Sequence, residues 1–479
     1  MEGRQLTDHP GSAEASAPSA QAGDGSANVV PLLAERRSPE QRRFLFLQGP
    51  HGPFFAELSR LLRASGAETR RIGFNRGDAF EWPEAATYTA YREAPSRWAD
   101  WVDAYLAEED ITDLVLYGDM REVHRVAHQR ALARNLRIHC FEEGYLRPYW
   151  ATYERAGVNG NSRLVHMPVA DMQARVAGRD VETPEAPATW GALWHHTWYG
   201  FLYHANILLR NGFYPNFVPH RGVTVAEEFA LHTSRLLLYP LKGLRRRWRE
   251  RRLRRAGMPY HLVLLQLSHD SAMRDHSPFA TQRDFLGACI TAFAEGAPRH
   301  HRLVFKAHPL EDGREPLAPT LRRLAARAGI SDRVDFIDGG KLGPLLDGAR
   351  SAVTVNSTAA QQALWRGLPV SAHGRAVYQK PEFVSPQPLA AFFRAPERPD
   401  SAAYRAYRRY LLGTSQVRGG FYTRQDRQTL LRRAVDMMLD PLDPYDAFAR
   451  DGRTLPDMAP DTAPETAKIL PLGRVSSAP

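Results

Sequence analysis

The sequence predicts an α/β protein made of two consecutive halves, each a mostly parallel sheet flanked by helices. Short apolar runs alternate with segments of helical period, and the alternation restarts at Tyr260 after a strongly basic break. In both halves polar residues fall just after the apolar runs, at the sheet rims where open α/β folds bind ligands. A cleft between two domains is therefore expected.

Residues 1–41 are rich in Gly, Ser, Ala and Pro without a hydrophobic period, and are expected to be disordered, as is the tail 455–479. The first domain, 42–257, opens with a strand at Arg43–Leu47 (RFLFL). The loop Gln48-Gly49-Pro50-His51-Gly52-Pro53 leads to a helix marked by Phe54, Leu58, Leu61 and Leu62. Such a loop can bring N–H groups to a ligand or be a plain tight turn, and it lacks both the GK[ST] ending of a P-loop and the Rossmann spacing. Trp98, Trp101, Val102 and Tyr105 form one core-facing helical side.

Strand Leu114–Tyr117 ends in Gly118-Asp119. After a helix over 121–135, strand Arg137–Phe141 ends in Glu142-Glu143-Gly144-Tyr145. The handedness of this βαβ unit puts both strand ends on one rim, so Asp119, Glu142 and Glu143 are expected to face one crevice. Carboxylates there do acid–base work if burial raises one pKa, or are simply solvated at loop starts.

A helical, aromatic stretch around 190–211 begins an insertion that runs to about residue 256. Within Val225–Arg255, Leu237, Leu241, Leu244 and Trp248 line one face. Lys242, Arg245, Arg246, Arg247, Arg249, Arg251, Arg252, Arg254 and Arg255 cover the rest. A basic amphipathic helix with a tryptophan suits an anionic membrane surface. A solvated linking helix and a nucleic-acid patch are the alternatives, and the absence of interleaved stacking aromatics argues against the latter.

The second domain, 258–400, starts with strand His261–Leu267, which runs into Ser268-His269-Asp270-Ser271. A helix over 278–294 precedes RLVFKAHP (Arg302–Pro309), a buried strand that delivers Lys306 and His308 to the rim and stops at Pro309. A cation and an imidazole there can grip a phosphate or nucleotide. A helix at Leu317–Ala328 and strands Val334–Ile337 and Ala352–Val355 follow. The last of these leads to Asn356-Ser357-Thr358 at a helix start, where hydroxyls either cap the helix or favour phosphate. Val370 begins the final strand, and helices near 402–412 and 427–439 belong to a closing segment, 401–454.

A chain of 479 residues has room for two full cores, and 43% apolar with 10% aromatic residues marks it as folded. A net charge of +10 and pI near 9.7 suggest an anionic partner. Cys140 and Cys289 are too few for a disulfide framework or a zinc site, which suits a reducing compartment. No run approaches the roughly 18 apolar residues of a membrane span, and no signal-peptide core is visible, so a cytosolic protein, free or peripherally bound, is expected. No DxD, HExxH or GxSxG motif occurs, and neither metal dependence nor a resident cofactor is expected.

The stretch FEEGYLRPYWATYERAGVNGNS (Phe141–Ser162) resembles the signature of the capsule polysaccharide biosynthesis family, of the KpsS/KpsC type and closest to its KpsS branch. YGD (Tyr117–Asp119), LLQLSHDS (Leu264–Ser271), KAHP (Lys306–Pro309) and VNSTAAQQALWRGLPV (Val355–Val370) follow the same family's order, so the resemblance spans Arg43 to Tyr378. It implies a GT-B glycosyltransferase with two Rossmann-like domains facing a central cleft. The activity implied is retaining β-Kdo transfer from CMP-Kdo, the donor substrate, to lysophosphatidylglycerol or a growing Kdo linker, through a covalent aspartyl adduct. By position, Asp270 is the implied nucleophile and Glu142 the acid/base, with Glu143 the alternative. Asp119 would orient the acceptor and Arg147 would pair with the Kdo carboxylate. Gln266, Lys306, His308, Pro309, Asn356, Ser357 and Thr358 would hold the donor. Arg245, Arg246, Arg247, Trp248 and Arg249 would meet the lipid surface. The resemblance further implies a cytoplasmic enzyme at the inner membrane, with an anionic glycolipid or phospholipid acceptor, other capsule assembly proteins as partners, and no nucleic acid. A transferase for another sugar or acceptor, or a non-catalytic assembly or export factor, remain the competing readings.

Overall fold

Most strands form where runs of apolar residues are buried on both faces, and the strands assemble into two sheets. The computed structural model describes residues 38–147, 149–183, 193–218, 226–227, 243–244, 246–253, 255, 257–267, 277–309, 311 and 315–451. The first sheet contains β1 (Arg43–Phe46), β2 (Glu68–Gly73), β3 (Tyr88–Ala90), β4 (Asp113–Tyr117), β5 (Arg137–Glu143), β6 (Trp150–Arg155) and β12 (Gln416–Arg418), in the order β12-β6-β5-β4-β1-β2-β3. β1 to β5 run parallel; β6 is antiparallel to β5, and β12 to β6. Phe44 and Phe46 of β1 face one core with α1 (Phe54–Ala64). Leu45 and Leu47 face another with α3 (Trp98–Glu108) and α4 (Glu122–Ala133).

The second sheet is all parallel: β7 (Tyr260–Leu264), β8 (Arg302–Lys306), β9 (Val334–Ile337), β10 (Ala349–Thr354) and β11 (Val370–Ala372), in the order β11-β10-β7-β8-β9. Helices Gln282–Gly296 and Leu317–Arg327 cover one face and Ala360–Trp365 the other. All five carboxyl ends therefore share one rim.

The halves share a core. Tyr145, Trp150 and Leu164 pack with Leu262, Ala360 and Tyr404. Buried Lys380 donates to three carbonyls of the first half, those of Leu164, Val165 and Met167, at 2.6, 2.9 and 2.8 Å. The closing segment does more than the expected pair of helices. Helix Ser401–Thr414 leads to β12, which pairs with β6, and helix Arg424–Leu439 packs on α1, with Arg427 bidentate to Glu57 (2.8 and 3.0 Å).

Four strands of the first sheet escaped the sequence reading. β2 reads ETRRIG, and its Arg71 is buried only because Asp78 (3.5 Å) and the Trp82 ring neutralise and cover it. β3 and β12 are three residues each, and β6 carries the charged pair Glu154-Arg155 at its end. β5 extends past Phe141, so Glu142 and Glu143 lie within the strand, opposite Thr152 and Ala151, rather than in a loop. In the basic segment, residues 246–253 are helical. The packed face there is Arg246, Glu250 and Leu253, while Leu244 and Trp248 are exposed. Leu237, Leu241, Lys242, Arg245 and Arg254 lie outside the described residues.

Candidate functional site

The rim of the second sheet gathers most of the expected donor residues, though not as free groups. Gln266, just past β7, clasps Asn356, just past β10. Its Nε2 donates to Asn356 Oδ1 (2.5 Å) and its Oε1 accepts from Asn356 N (3.2 Å). Gln266 thus fixes two strand ends to each other. Ser357 Oγ accepts from Ala359 N (3.3 Å), and the Ser357 carbonyl accepts from Tyr378 Oη (2.8 Å). Lys306 is buried at the end of β8, its Nζ 3.3 Å from the Ala307 carbonyl. Burial lowers its pKa to about 8, against the opposing pull of Glu250 on the basic helix. His308 is half-buried and Pro309 exposed on the same rim.

Across from this rim stands the loop after β5. Tyr145, Asn159 and Gly160 from the first half and Asn356, Thr358 and Arg375 from the second line one pocket. Asn159 adopts φ +54°, its N–H donates to Tyr145 Oη (2.6 Å) and its Nδ2 lies 3.4 Å from Glu142 Oε2. Glu142 therefore adjoins the pocket, with its Oε1 accepting from Glu143 N (2.9 Å). Gly118, at φ +66°, lies so close that a Cβ there would sit 3.1 Å from Glu142 Oε2. Glu143 instead accepts from Tyr117 Oη (3.2 Å).

Asp119 is buried behind this surface. Its Oδ2 accepts from Val158 N (3.1 Å) and Asn161 Nδ2 (3.0 Å), so it holds the turn that presents Asn159. Glu154, fully buried beneath, accepts from Ser162 Oγ (2.5 Å), and burial raises its pKa to about 8. Arg147 is exposed, its Nε 3.4 Å from the Gly144 carbonyl. Asp270 and its neighbours 268–276 lie outside the described residues, as does Pro148.

Arg375 was not anticipated. It follows β11, touches His166 Nε2 (3.4 Å), and makes no ion pair with a carboxylate among the described residues. A Gly-Arg pair just after a rim-directed strand was the available signal. The loop after β1, conversely, does not present a free anion cradle. Gly52 N donates to Glu81 Oε1 (2.8 Å), and Gln48 is engaged by Asp78 (3.1 Å). Among the described residues no group of three or more His, Cys, Asp or Glu side chains is placed to hold a metal ion, and no helix is long and apolar enough to cross a membrane.

Two α/β halves therefore line one pocket, with a cation on one wall and a carboxylate beside the other. The chain belongs to the capsule polysaccharide biosynthesis protein family, whose profile matches residues 112–422. It is 31% identical over 391 residues to the capsule polysaccharide export protein KpsS of Escherichia coli, covering 80% of this chain and 97% of that one. It is 28% identical over 388 residues to the capsule polysaccharide modification protein LipB of Neisseria meningitidis serogroup B, covering 79% and 91%. Among solved structures, Thermosulfurimonas dismutans KpsC, described as a beta Kdo 2,7 transferase, is similar at a TM-score of 0.40 and 10% identity over 81% of this chain and 99% of that one.

Proposed function

We propose that this protein is a GT-B glycosyltransferase that moves Kdo from CMP-Kdo to a lipid acceptor, lysophosphatidylglycerol, or to a growing Kdo linker. The observation that carries the reading is the pocket in which Arg375 and Thr358 face Asn159 and, beside it, Glu142. A sugar nucleotide with a phosphate and a carboxylate calls for a cation and hydroxyls on one side. An acceptor hydroxyl calls for a carboxylate on the other.

In the proposed reaction Asp270 attacks the anomeric carbon of Kdo, forming a carbon–oxygen bond as the bond to phosphate breaks and CMP leaves with the electron pair. Arg375, Lys306, His308 and Thr358 would stabilise that phosphate without a metal. The acceptor oxygen then displaces Asp270 while its proton passes to Glu142, and the two inversions retain configuration. Asp119 acts as a positioning residue through the 158–161 turn. The basic helix at 246–253, with Trp248 exposed, suits an acceptor held in an anionic inner leaflet.

The test is intact-protein mass spectrometry after incubation with CMP-Kdo, with and without EDTA, on wild type, Glu142→Gln and Asp270→Ala. A gain of one Kdo in wild type or Glu142→Gln, absent in Asp270→Ala and indifferent to EDTA, is expected. No adduct and no CMP release in any form, even with lysophosphatidylglycerol present, would overturn the Kdo assignment and favour an assembly or export role.

A further inference from the structure

Half of the large apolar side chains exposed among the described residues lie in one segment, 193–218. Its helix α6 (Leu193–Arg210) has two unlike faces. At 3.6 residues per turn, Trp194, Trp198, Phe201, Leu208 and Leu209 fall within an arc of about 100° that extends about 22 Å along the axis. Trp194 is 59% and Leu209 77% exposed. The rings of Trp194, Trp198 and Phe201 stack in series at 6.2 and 5.8 Å.

The opposite face is fastened to the fold. Tyr199 lies against Gly52, Tyr203 lies against Gly77, and Tyr203 Oη receives a hydrogen bond from Asn75 Nδ2 (2.7 Å). His196 packs edge-on against Tyr422 at 4.8 Å. The helix is thus anchored at the carboxyl rim of the first sheet, where β1 and α2 (Arg76–Phe80) meet and where β5 ends in Glu142 and Glu143.

We infer that the outer face of α6 is a docking surface for an anionic phospholipid bilayer. This deepens the reading of a lipid acceptor, because it sets the acceptor side of the cleft against the membrane. None of the 18 residues of α6 is acidic. Three exposed arginines gather at its carboxyl end: Arg210 of the helix itself, Arg76 of α2, whose N–H donates to Asn211 Oδ1 (2.9 Å), and Arg92, whose guanidinium lies 3.6 Å over the Phe213 ring. Tryptophans along a stripe with arginines at its end match an interface of acyl chains below a phosphate plane. The inward tyrosines and histidines keep the helix lying along that interface.

The test uses the full chain, whose native cysteines are both buried. Leu209→Cys labelled with an environment-sensitive fluorophore is expected to shift to the blue with vesicles of phosphatidylglycerol and phosphatidylcholine, and far less with phosphatidylcholine alone. The same label at Leu132→Cys on α4 is expected to stay unchanged. The triple variant Trp194→Ser/Trp198→Ser/Leu209→Ser should partition onto the anionic vesicles roughly tenfold or more weakly. No shift at position 209, equal shifts at 209 and 132, or unaltered partition of the triple variant would overturn the inference. So would a shift on concentrating the labelled protein without lipid, which would assign the face to a second copy. The vesicles contain neither sugar nucleotide nor acceptor, so failure here is separate from failure of the transferase reading.

Discussion

Gln361 Nε2 donates to the carbonyl oxygen of Tyr145 across the boundary of the two halves, at 2.9 Å. The same side chain follows the Asn-Ser-Thr turn at the rim of the second sheet, and the same carbonyl belongs to the loop just after the two glutamates that end β5. Gln361→Leu leaves that buried carbonyl without a donor, a loss on the order of 1–3 kcal/mol. Thermal unfolding should show a lowered Tm, and binding of CMP should weaken because the two walls of the pocket lose their register.

Arg375 gives a contrasting case, since it is exposed and holds little structure in place. Removing a hydrogen bond to a charged group costs about 1.5–3 kcal/mol, so Arg375→Ala should weaken CMP binding by roughly ten- to a hundredfold. Its Tm should stay near that of wild type. Titration calorimetry that finds unchanged CMP affinity would remove Arg375 from the site.

Glu142 and Glu143 are adjacent yet differently placed, one beside Asn159 and the pocket, the other held by Tyr117. Glu142→Gln is expected to lower the transfer rate by about 10²–10⁴ with donor affinity preserved. Glu143→Gln should cost much less. Equal losses in the two variants would reassign the acid/base role.

Burial raises the Glu154 carboxyl to about 8 in the folded protein, against about 4.3 when unfolded. The folded state therefore binds the extra proton between these values. Its stabilising contribution is complete below the unfolded value and is lost as pH rises through about 8. Glu81, also raised to about 8 by burial, acts in the same direction. The Tm of wild type should fall from pH 6 to pH 8, and Glu154→Gln, whose amide stays neutral, should fall less over the same interval.

Much of this arrangement was readable because burial writes itself as apolar runs. β1, β4, β5, β7, β8 and β10 announced themselves, and with parallel strands the rim positions of Glu142, Lys306 and Thr358 followed. What escaped depends on partners distant in sequence. Arg71 passes as surface charge until Asp78 meets it, and the three residues of β12 become a strand only because β6 offers an edge. Gln266 and Asn356 looked like ligand groups singly, and only their pairing shows that they hold strand ends together. Arg375 needed the fold to bring it opposite Asn159.

The return of the chain through β12 has a mechanical consequence. The backbone passes from the first sheet to the second and then back again, so the halves are joined by two covalent tethers rather than one. A single tether allows swing, twist and separation, whereas two resist twist and leave mainly rotation about the line that joins them. Any relative movement of the halves is thereby confined to rotation about that line, and it has to break the Gln361–Tyr145 and Lys380 hydrogen bonds that cross the boundary.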